Sequence, residues 1–271
     1  AVYSVTRPGA LAGVKYFLVP NVKNFSWMTV VSAMGQMFYS LSIAMGILIT
    51  FGSYMKKDTA IEDSTRNVEI FDTGIAIMAG LMIIPAVFAF SGGDPDTLQA
   101  GPSLMFITIP KVFQNMGFGT VIGIVFFLLV LFAAVTSSIA LTESAVSTFE
   151  DELGWGRKKA TVLVGVIMLA LGSLSSLGYG PLAGIKIIGM QFLDLFDFLT
   201  NSVMMPIAAL LTSLFVSRVV GIDKIEAEII HGESAFRRKK VFVVMIKYLC
   251  PVFAIIILLS SVANALGWIK M

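Results

Sequence analysis

The chain has 271 residues, of which 57% are hydrophobic and only 13% are charged, and its formal net charge is +2 at pH 7. A mean hydropathy of +0.90 excludes a soluble globular domain, because too little polar surface is available to face water. The apolar segments are long and do not alternate in polarity, which excludes an outer-membrane barrel. The sequence therefore predicts an all-α, polytopic membrane protein.

Six apolar segments are long enough to cross a bilayer, which takes about 20 helical residues. We predict spans at 28–55, 70–90, 119–149, 160–178, 190–217 and 241–269. Residues 1–27 mix glycine, proline and aromatic side chains, which predicts an external loop at the membrane interface. The apolar stretch within 91–118 is short and interrupted by Pro110, so we predict an external re-entrant hairpin there. Residues 1–271 are predicted to form a single transmembrane domain.

The first span is the most unusual of the six. A continuous helix over 28–55 would be about 42 Å long at about 1.5 Å per residue, whereas the hydrocarbon layer is about 30 Å thick. Small residues occupy alternate positions in its middle: Ser40, Ser42, Ala44 and Gly46. Residues at alternate positions do not lie on one helix face. Small residues at these positions instead suit a break in the helix, which exposes backbone groups to a ligand. A tilted continuous span with a small-residue packing face is the alternative interpretation.

Basic residues concentrate in the connections 56–69, 150–159 and 218–240. The positive-inside rule places these connections in the cytoplasm. The protein is therefore predicted to be a multi-pass protein of the cell membrane, with both ends of this chain on the extracytoplasmic side.

The acidic residues in or at the edges of the predicted spans include Asp72, Glu143, Asp194 and Asp197. Asp72 and Glu143 are functional candidates, because charge is costly inside a bilayer. The hydroxyls of residues 136–138 suit a hard cation such as sodium, which prefers oxygen ligands, although hydrogen bonds to the preceding helical turn explain them equally well. The single histidine, His231, lies in a predicted loop, so neither a serine triad nor a cysteine–histidine metal cluster can form. We predict no enzyme activity and no nucleic-acid partner.

Several short motifs resemble those of one family of transporters. The sequence Gly35-Gln36-Met37-Phe38-Tyr39-Ser40-Leu41-Ser42, followed by Gly46 and Tyr54, resembles the sixth helix of neurotransmitter:sodium symporters. In the same order, 136–140 resembles the eighth helix, 149–153 its cytoplasmic end and 194–198 the tenth helix. The resemblance implies a partial LeuT-like fold with a discontinuous first span, since that fold binds its substrate at broken helices. It also implies that the chain is the C-terminal part of a longer, bacterial-type transporter whose helices one to five are missing partners.

The resemblance assigns roles to individual residues. The sodium ligands it implies are Ser40 and Asp72 for one ion, and the Ala133 carbonyl, Thr136 and Ser137 for a second. The substrate-binding residues it implies are Tyr39 as an aromatic lid, Ser42, Met45, Ser138 and Leu141. The gating residues it implies are Gln36 and Asp197 on the external side, and Asp151 with Tyr54 on the internal side.

The function implied by this resemblance is sodium-coupled symport of amino acids or related small zwitterions across a lipid bilayer. Sodium is then the co-transported ligand, and no cofactor is expected. Asp72 stands where many family members have asparagine, and its fixed carboxylate implies transport that does not require chloride. Two alternatives are a non-transporting truncated or scaffold protein with the same fold, and a channel. A channel needs a polar stripe through the bilayer, whereas the polar residues here cluster at mid-depth.

Overall fold

The structure, a computed structural model, describes residues 2–91, 101–114 and 116–266. Within these ranges the regular elements are helical, apart from an isolated bridge between Ile187 and Met190. The helices are α1 (Val2–Val5), α2 (Ala10–Leu18), α3 (Trp27–Ser40), α4 (Ile47–Ser53), α5 (Ile61–Ser91), α6 (Ile109–Gln114), α7 (Gly119–Leu153), α8 (Arg157–Leu177), α9 (Phe192–Asp197), α10 (Met205–Leu214), α11 (Ile222–Gly232), α12 (Lys239–Val244) and α13 (Cys250–Ala265). Residues Val22–Asn24 form a 3₁₀ turn, and π-helical segments cover Leu104–Thr108, Phe198–Met204, Phe215–Val220 and Met245–Leu249.

Five helical stretches in the described ranges are long and apolar enough to cross a membrane. They are Ile61–Phe90, Gly119–Leu153, Arg157–Leu177, Phe192–Val220 and Lys239–Ala265. They overlap the last five predicted spans in order, and the membrane boundaries themselves stay predictions. The predicted hairpin at 91–118 and the predicted last span at 241–269 each extend into residues outside the described ranges, namely 92–100, 115 and 267–269.

The first predicted span is discontinuous, which confirms the predicted fold class. Helix α3 has 14 residues and α4 has seven, so neither reaches the length of about 20 residues that a span needs. At the start of α3, the Thr29 hydroxyl accepts a hydrogen bond from the Ser26 amide at 3.2 Å. The tilted continuous span is therefore the wrong interpretation of residues 28–55.

Two segments are more helical than the sequence predicted. Helix α5 begins at Ile61, inside the predicted loop 56–69, because Glu62 and Asp63 in its first turn favour a helix N-terminus. The predicted loop at 1–27 contains α1, α2 and a 3₁₀ turn. Helix α2 lies so close to α5 that a Cβ added to Gly13 would be 2.8 Å from the Pro85 Cα.

The chain divides into two compact units, whose boundaries fall just before α3, inside α5 and inside α7. One unit comprises residues up to 25 together with 68–137. In that unit the Tyr16 and Phe88 rings are 5.2 Å apart, and four phenylalanines connect the α6 region with the start of α7: Phe106, Phe113, Phe126 and Phe127.

The other unit comprises residues 26–67 and the described residues from 138 onward. There α10 packs on α13, and α3 packs on α13 and on Phe198–Met204. Val146 of α7 packs with Ala160 and Val164 of α8, and all three side chains are buried. This second unit contains both halves of the discontinuous span.

Candidate functional site

The break between α3 and α4 has an alternating backbone conformation. Ser42, Ala44 and Gly46 have φ angles of 54°, 63° and 78°, which lie in the left-handed region. A residue with a side chain pays about 1–2 kcal/mol to adopt this conformation. The alternating small residues of the sequence thus correspond to an alternating backbone, in which Ser42 and Ala44 are strained and Gly46 is not.

The break leaves main-chain groups without helical partners. Its last hydrogen bond on the α3 side joins the Ile43 amide to the Phe38 carbonyl at 2.9 Å, and α4 resumes with the Thr50 amide donating to the Gly46 carbonyl at 2.9 Å. Between these bonds, the amides of residues 44–46 and the carbonyls of residues 41–45 have no backbone partner among the described residues. Backbone of this kind is tolerated at membrane depth where it lines a polar site.

Two of the predicted sodium ligands on α7 lie together. The Thr136 hydroxyl donates to the Ala133 carbonyl at 2.9 Å, which is the local pattern expected for a helical threonine. The sodium interpretation uses the same two oxygens, with the lone pairs of the hydroxyl directed at the ion. Ser137 is exposed, and its hydroxyl makes no hydrogen bond within the described ranges.

The predicted ligands fall in both compact units. Asp72, half-buried on α5, shares its unit with Ala133, Thr136 and Ser137, whereas Ser40 at the end of α3 belongs to the other unit. Within its own unit, the structure describes the Ala133 and Thr136 oxygens as one local group.

A cavity of about 400 Å³ brings three predicted residues together. Its walls include Gln36 and Tyr39 of α3 and Asp197 of α9. Asn201, one helical turn after Asp197, donates from Nδ2 to the Asp197 Oδ1 at 2.5 Å and also lines the cavity. Three serines contribute further hydroxyls: Ser32, Ser202 and Ser261. The cavity thus combines an aromatic ring, a carboxylate, amides and hydroxyls with the apolar side chains of Val31 and Ile257.

The other predicted substrate residues lie on two elements of the same unit. Ser42 and Met45 are half-buried in the break, and Ser138 and Leu141 are one turn apart on α7, with Ser138 half-buried and Leu141 exposed. The Thr142 hydroxyl donates to the Ser138 carbonyl at 2.7 Å.

The far end of α4 joins a network of charged side chains. The Tyr54 hydroxyl donates to Glu143 Oε1 at 2.8 Å, and Arg157 donates to Glu143 Oε2 at 2.5 Å. Arg157 also contacts Glu150 Oε2 at 3.2 Å. Glu143 is thus held by a hydroxyl and a guanidinium, as expected for a carboxylate within a span. Asp151 is exposed, and its carboxylate makes no hydrogen bond or ion pair in the part of the chain that the structure describes. The Tyr54 hydroxyl bonds to Glu143 and not to Asp151.

The sequence did not single out four residues that the structure places at these sites: Thr50, Ser144, Arg157 and Asn201. Thr50 Oγ1 lies 3.4 Å from the Ser144 Oγ and 3.3 Å from the Ser147 Oγ, and both Thr50 and Ser144 are buried. The sequence does contain a signal for Thr50. It lies four residues after Gly46 and four before Tyr54, and residues four apart share a helix face.

Three comparisons relate the chain to known proteins. The model of the family described as "Sodium:neurotransmitter symporter family" matches residues 1–268. An uncharacterized sodium-dependent transporter of Bacillus subtilis, YhdH, is 32% identical over 260 residues, which cover 96% of this chain and 57% of the relative. An uncharacterized sodium-dependent transporter of Haemophilus influenzae is 31% identical over 260 residues, covering 95% and 55% of the two chains.

A solved structure is also similar. The crystal structure of MhsT in complex with L-phenylalanine matches with a TM-score of 0.83 at 34% sequence identity, covering 96% of this chain and 58% of that chain. The chain thus spans a little over half the length of the curated relatives and of the solved structure.

Proposed function

The chain belongs to the sodium:neurotransmitter symporter family, a family of transporters and not of enzymes, and from that premise we propose that the whole protein carries out chloride-independent, sodium-coupled symport of amino acids or related small zwitterions. The chain is a multi-pass α-helical membrane protein with the LeuT-like fold. The break between α3 and α4 is the observation that carries the proposal, because main-chain donors and acceptors without helical partners are what a zwitterion needs at membrane depth.

The proposed substrate is an amino acid bound beside the break. MhsT, which is 34% identical to this chain over the aligned residues, was crystallised with L-phenylalanine, so phenylalanine is the first solute to test. We assign substrate contacts to the five residues named by the family resemblance: Tyr39, Ser42, Met45, Ser138 and Leu141. The flexible thioether of Met45 allows the pocket to fit side chains of different shape.

We propose two sodium sites. Ser40 and Asp72 contribute to one, and the second is formed by Ala133, Thr136 and Ser137. The Ala133 carbonyl and the Thr136 Oγ1 are 2.9 Å apart on one turn of α7, so a single cation can contact both at the distance of about 2.4 Å that hard cations prefer. Because coupling between ligands is reciprocal, removing a sodium ligand weakens substrate binding, and substrate strengthens sodium binding.

We propose that one pair of residues on each side of the membrane controls access to the sites. Gln36 and Asp197 gate the extracytoplasmic side, and Tyr54 and Asp151 gate the cytoplasmic side, with both ends of this chain outside the cell. The chain spans 57% of the YhdH length, and we propose that helices equivalent to the remaining part of the relatives are partners in the transport cycle.

The decisive experiment measures binding of radiolabelled phenylalanine and other amino acids to the purified full-length protein in sodium and in potassium. We expect saturable binding in sodium and none above background in potassium. Equal binding in the two salts would contradict sodium coupling. Absence of binding for every amino acid, in a protein that remains folded, would favour a non-transporting protein of the same fold.

A further inference from the structure

The apolar stretch Lys239–Ala265 presents one exposed face along its length. The exposed side chains follow one another at intervals of three or four residues, so they lie on one side of the helix. We call them the exposed stripe, and its members are Lys240, Val244, Tyr248, Val252, Ile255 and Leu259. A basic residue thus stands at one end of the exposed stripe, a tyrosine follows, and the remaining members are apolar.

The apolar part of the exposed stripe matches the length of a lipid chain. Leu259 comes 15 residues after Val244, which corresponds to about 22 Å along a helix at about 1.5 Å per residue. One leaflet contributes about half of a hydrocarbon layer that is about 30 Å thick. The exposed stripe is therefore long enough for an acyl chain to lie against it through a whole leaflet.

Three basic side chains lie at or near the polar end of the exposed stripe: Lys240, Lys247 and Arg218. Arg218 belongs to the π-helical segment Phe215–Val220, which packs on Met245–Leu249, the segment that contains Lys247. All three side chains are exposed and make no ion pair among the described residues. Like charges on contacting segments repel each other, so an anion bound beside them stabilises this packing.

The acidic side chains of the neighbouring connection do not supply that anion. Glu226 pairs with Lys239, and Glu233 accepts hydrogen bonds from the amides that begin α5. Asp223 and Glu228 on α11 are exposed and make no ion pair in the part of the chain that the structure describes. The positive charge of the three basic residues is therefore left for another partner.

The turn that carries Lys240 is held in place by its neighbours. The Phe236 and Phe242 rings, which come before and after this turn, are 5.6 Å apart. The Arg237 amide donates to Glu62 Oε2 at 2.9 Å. These contacts fix the backbone and leave the Lys240 ammonium exposed, so little besides this side chain has to be ordered when a ligand binds.

Lys247 lies further along the helix, inside the predicted span 241–269. It comes seven residues after Lys240, which is about 10 Å along the helix. A lysine near the end of a span extends its ammonium toward the lipid headgroups and keeps its methylene groups among the acyl chains. Tyr248 is 65% exposed, and tyrosine favours the same level because its ring is apolar and its hydroxyl is polar. Both side chains thus suit the level of the lipid phosphate.

We propose that Lys240, Lys247 and Arg218 bind the headgroup of an anionic phospholipid, whose acyl chain lies along the exposed stripe. The lipid phosphate accepts charge-assisted hydrogen bonds from the basic side chains. Basic residues beside a span raise the affinity for anionic lipid about fivefold each. The bound lipid also offsets the repulsion between Arg218 and Lys247 and so stabilises the packing of their two segments.

The test measures lipid contact at Val244 in the full-length protein in phosphatidylcholine nanodiscs. All other cysteines, including Cys250, are removed, and Val244→Cys carries a bimane fluorophore that brominated lipids quench on contact. We expect brominated phosphatidylglycerol to reach half-maximal quenching at a mole fraction at least tenfold lower than brominated phosphatidylcholine. Salt at about 1 M should reduce this preference, because it shortens the range of electrostatic attraction to about 3 Å.

Replacement of the basic residues tests the headgroup site itself. Arg218→Gln, Lys240→Gln and Lys247→Gln together should raise the half-maximal mole fraction of phosphatidylglycerol at least tenfold. Lys240→Arg with Lys247→Arg keeps both charges and should leave it within about twofold.

A matched control removes three charges elsewhere. It carries Lys56→Gln, Lys57→Gln and Lys158→Gln, at exposed positions in other predicted cytoplasmic connections. We expect this variant to keep the preference for phosphatidylglycerol within about twofold. An equal loss of preference in the control variant overturns the proposal, because the preference then follows total charge.

Equal quenching by the two lipids, or an unchanged preference after the three glutamine substitutions at the site, also overturns the proposal. If neither lipid quenches the label, another part of the protein covers the exposed stripe, and if inorganic phosphate displaces phosphatidylglycerol, the site binds free phosphate. Either result overturns the proposal too.

The outcome does not depend on transport, because quenching is measured at equilibrium without a sodium gradient. If gel filtration shows that the triple glutamine variant at the site is misfolded, the unsubstituted protein still decides the question. Its preference between the two lipids, at low and at high salt, then carries the test.

Discussion

Gly46 is the residue whose replacement should disturb the site most directly. Its φ angle is 78°, and a Cβ would come within 2.6 Å of the Ser144 Oγ. Gly46→Ala should therefore lower the free energy of unfolding by about 1–2 kcal/mol for the backbone conformation alone, with a further cost from the overlap. Thermal unfolding of the purified full-length protein, followed by tryptophan fluorescence, measures the effect.

Gly52→Ala is the matched control for this prediction. Gly52 lies in α4, the helix that Gly46 precedes, and its φ is not positive. Apart from its chain neighbours and the backbone of its own helix, no atom of the described residues lies within 4 Å of a Cβ placed there. Alanine at that position should stabilise α4 by about 0.5–1 kcal/mol, because it restricts the unfolded chain. Equal melting temperatures for the two variants would show that Gly46 is not constrained in the way the structure indicates.

The sodium assignments can be tested one ligand at a time. Asp72→Ala and Ser137→Ala each remove an oxygen from a proposed site, and a lost interaction with a charged group costs about 1.5–3 kcal/mol. We expect each variant to raise the sodium concentration for half-maximal phenylalanine binding about tenfold or more. Ser175→Ala should leave it unchanged, because the Ser175 hydroxyl donates to the Leu171 carbonyl of its own helix at 2.9 Å. Unchanged sodium dependence in both site variants would remove the basis for the assigned ligands.

At the scale of elements, the N-terminus of α5 is capped by a distant segment. Glu233, just after α11, accepts hydrogen bonds at Oε1 from the amides of Glu62 at 2.6 Å and Asp63 at 3.2 Å. In return Glu62 Oε2 accepts from the Arg237 amide at 2.9 Å. These bonds satisfy two of the amide groups that a helix N-terminus leaves without partners.

Replacement of Glu233 should therefore loosen the first turn of α5. A helix cap contributes about 1 kcal/mol, so Glu233→Ala should speed hydrogen exchange of the Glu62 and Asp63 amides about fivefold. Glu228→Ala, at an exposed position on α11, serves as the control. If exchange at these two amides is equally slow in the Glu233 variant, the cap does not protect the helix in solution.

The elements that the sequence predicted are those whose signals are local. The alternating small residues were compatible with a break or with a tilted continuous span, and the family resemblance decided for the break. The long apolar stretches predicted the order of the spans. Helix α2 was not predicted, because its glycines and aromatic side chains resemble a loop until α5 is present to receive them. The Gly13 contact with Pro85 and the Tyr16 ring against Phe88 are tertiary, and no short window of sequence contains both partners.

The residues of the site also divide into those that a local motif predicted and those whose role depends on a distant partner. Gln36, Tyr39 and Asp197 followed from motifs, and the structure places all three around one cavity. Arg157 was counted only as a charge in a cytoplasmic connection, because its partner Glu143 is 14 residues away and the turn between α7 and α8 brings the two together. Tyr54 was assigned a gating role near Asp151, and its bond to Glu143 depends on the rotation of α4 about its axis, which the sequence does not specify.

At the scale of the whole molecule, the predicted ligands are distributed over both compact units. Tyr39 and Ser40 lie in one unit, and Asp72 and Thr136 lie in the other. A ligand that needs residues from both should stabilise the full-length protein as a whole. We expect sodium and phenylalanine together to raise its melting temperature by more than the sum of their separate effects. The reason is that coupled ligands each strengthen the binding of the other, which adds a coupling free energy to the stability of the folded protein. Strictly additive shifts would indicate sites that do not communicate.

Ion dependence of transport is the property of the whole molecule that Asp72 should determine. In the family that this chain resembles, chloride-dependent members place an anion beside the first sodium, where it balances the charge of the cation. The family resemblance places Asp72, on α5, at a position where many members have asparagine, so this chain carries a fixed carboxylate there. We therefore expect this fixed negative charge to replace a mobile anion, because a negative charge of either kind stabilises a nearby sodium ion.

Replacing chloride with gluconate should therefore leave sodium-driven phenylalanine uptake by the full-length protein within about twofold of its original value, a difference of less than 0.5 kcal/mol. Replacing sodium with potassium in the same vesicles should abolish uptake, which shows that the assay responds to ions. Asp72→Asn keeps the shape of the side chain and removes its charge, so uptake by this variant should need more sodium and should become sensitive to chloride. A sharp fall in uptake by the unsubstituted protein in gluconate would mean that Asp72 does not supply the balancing charge.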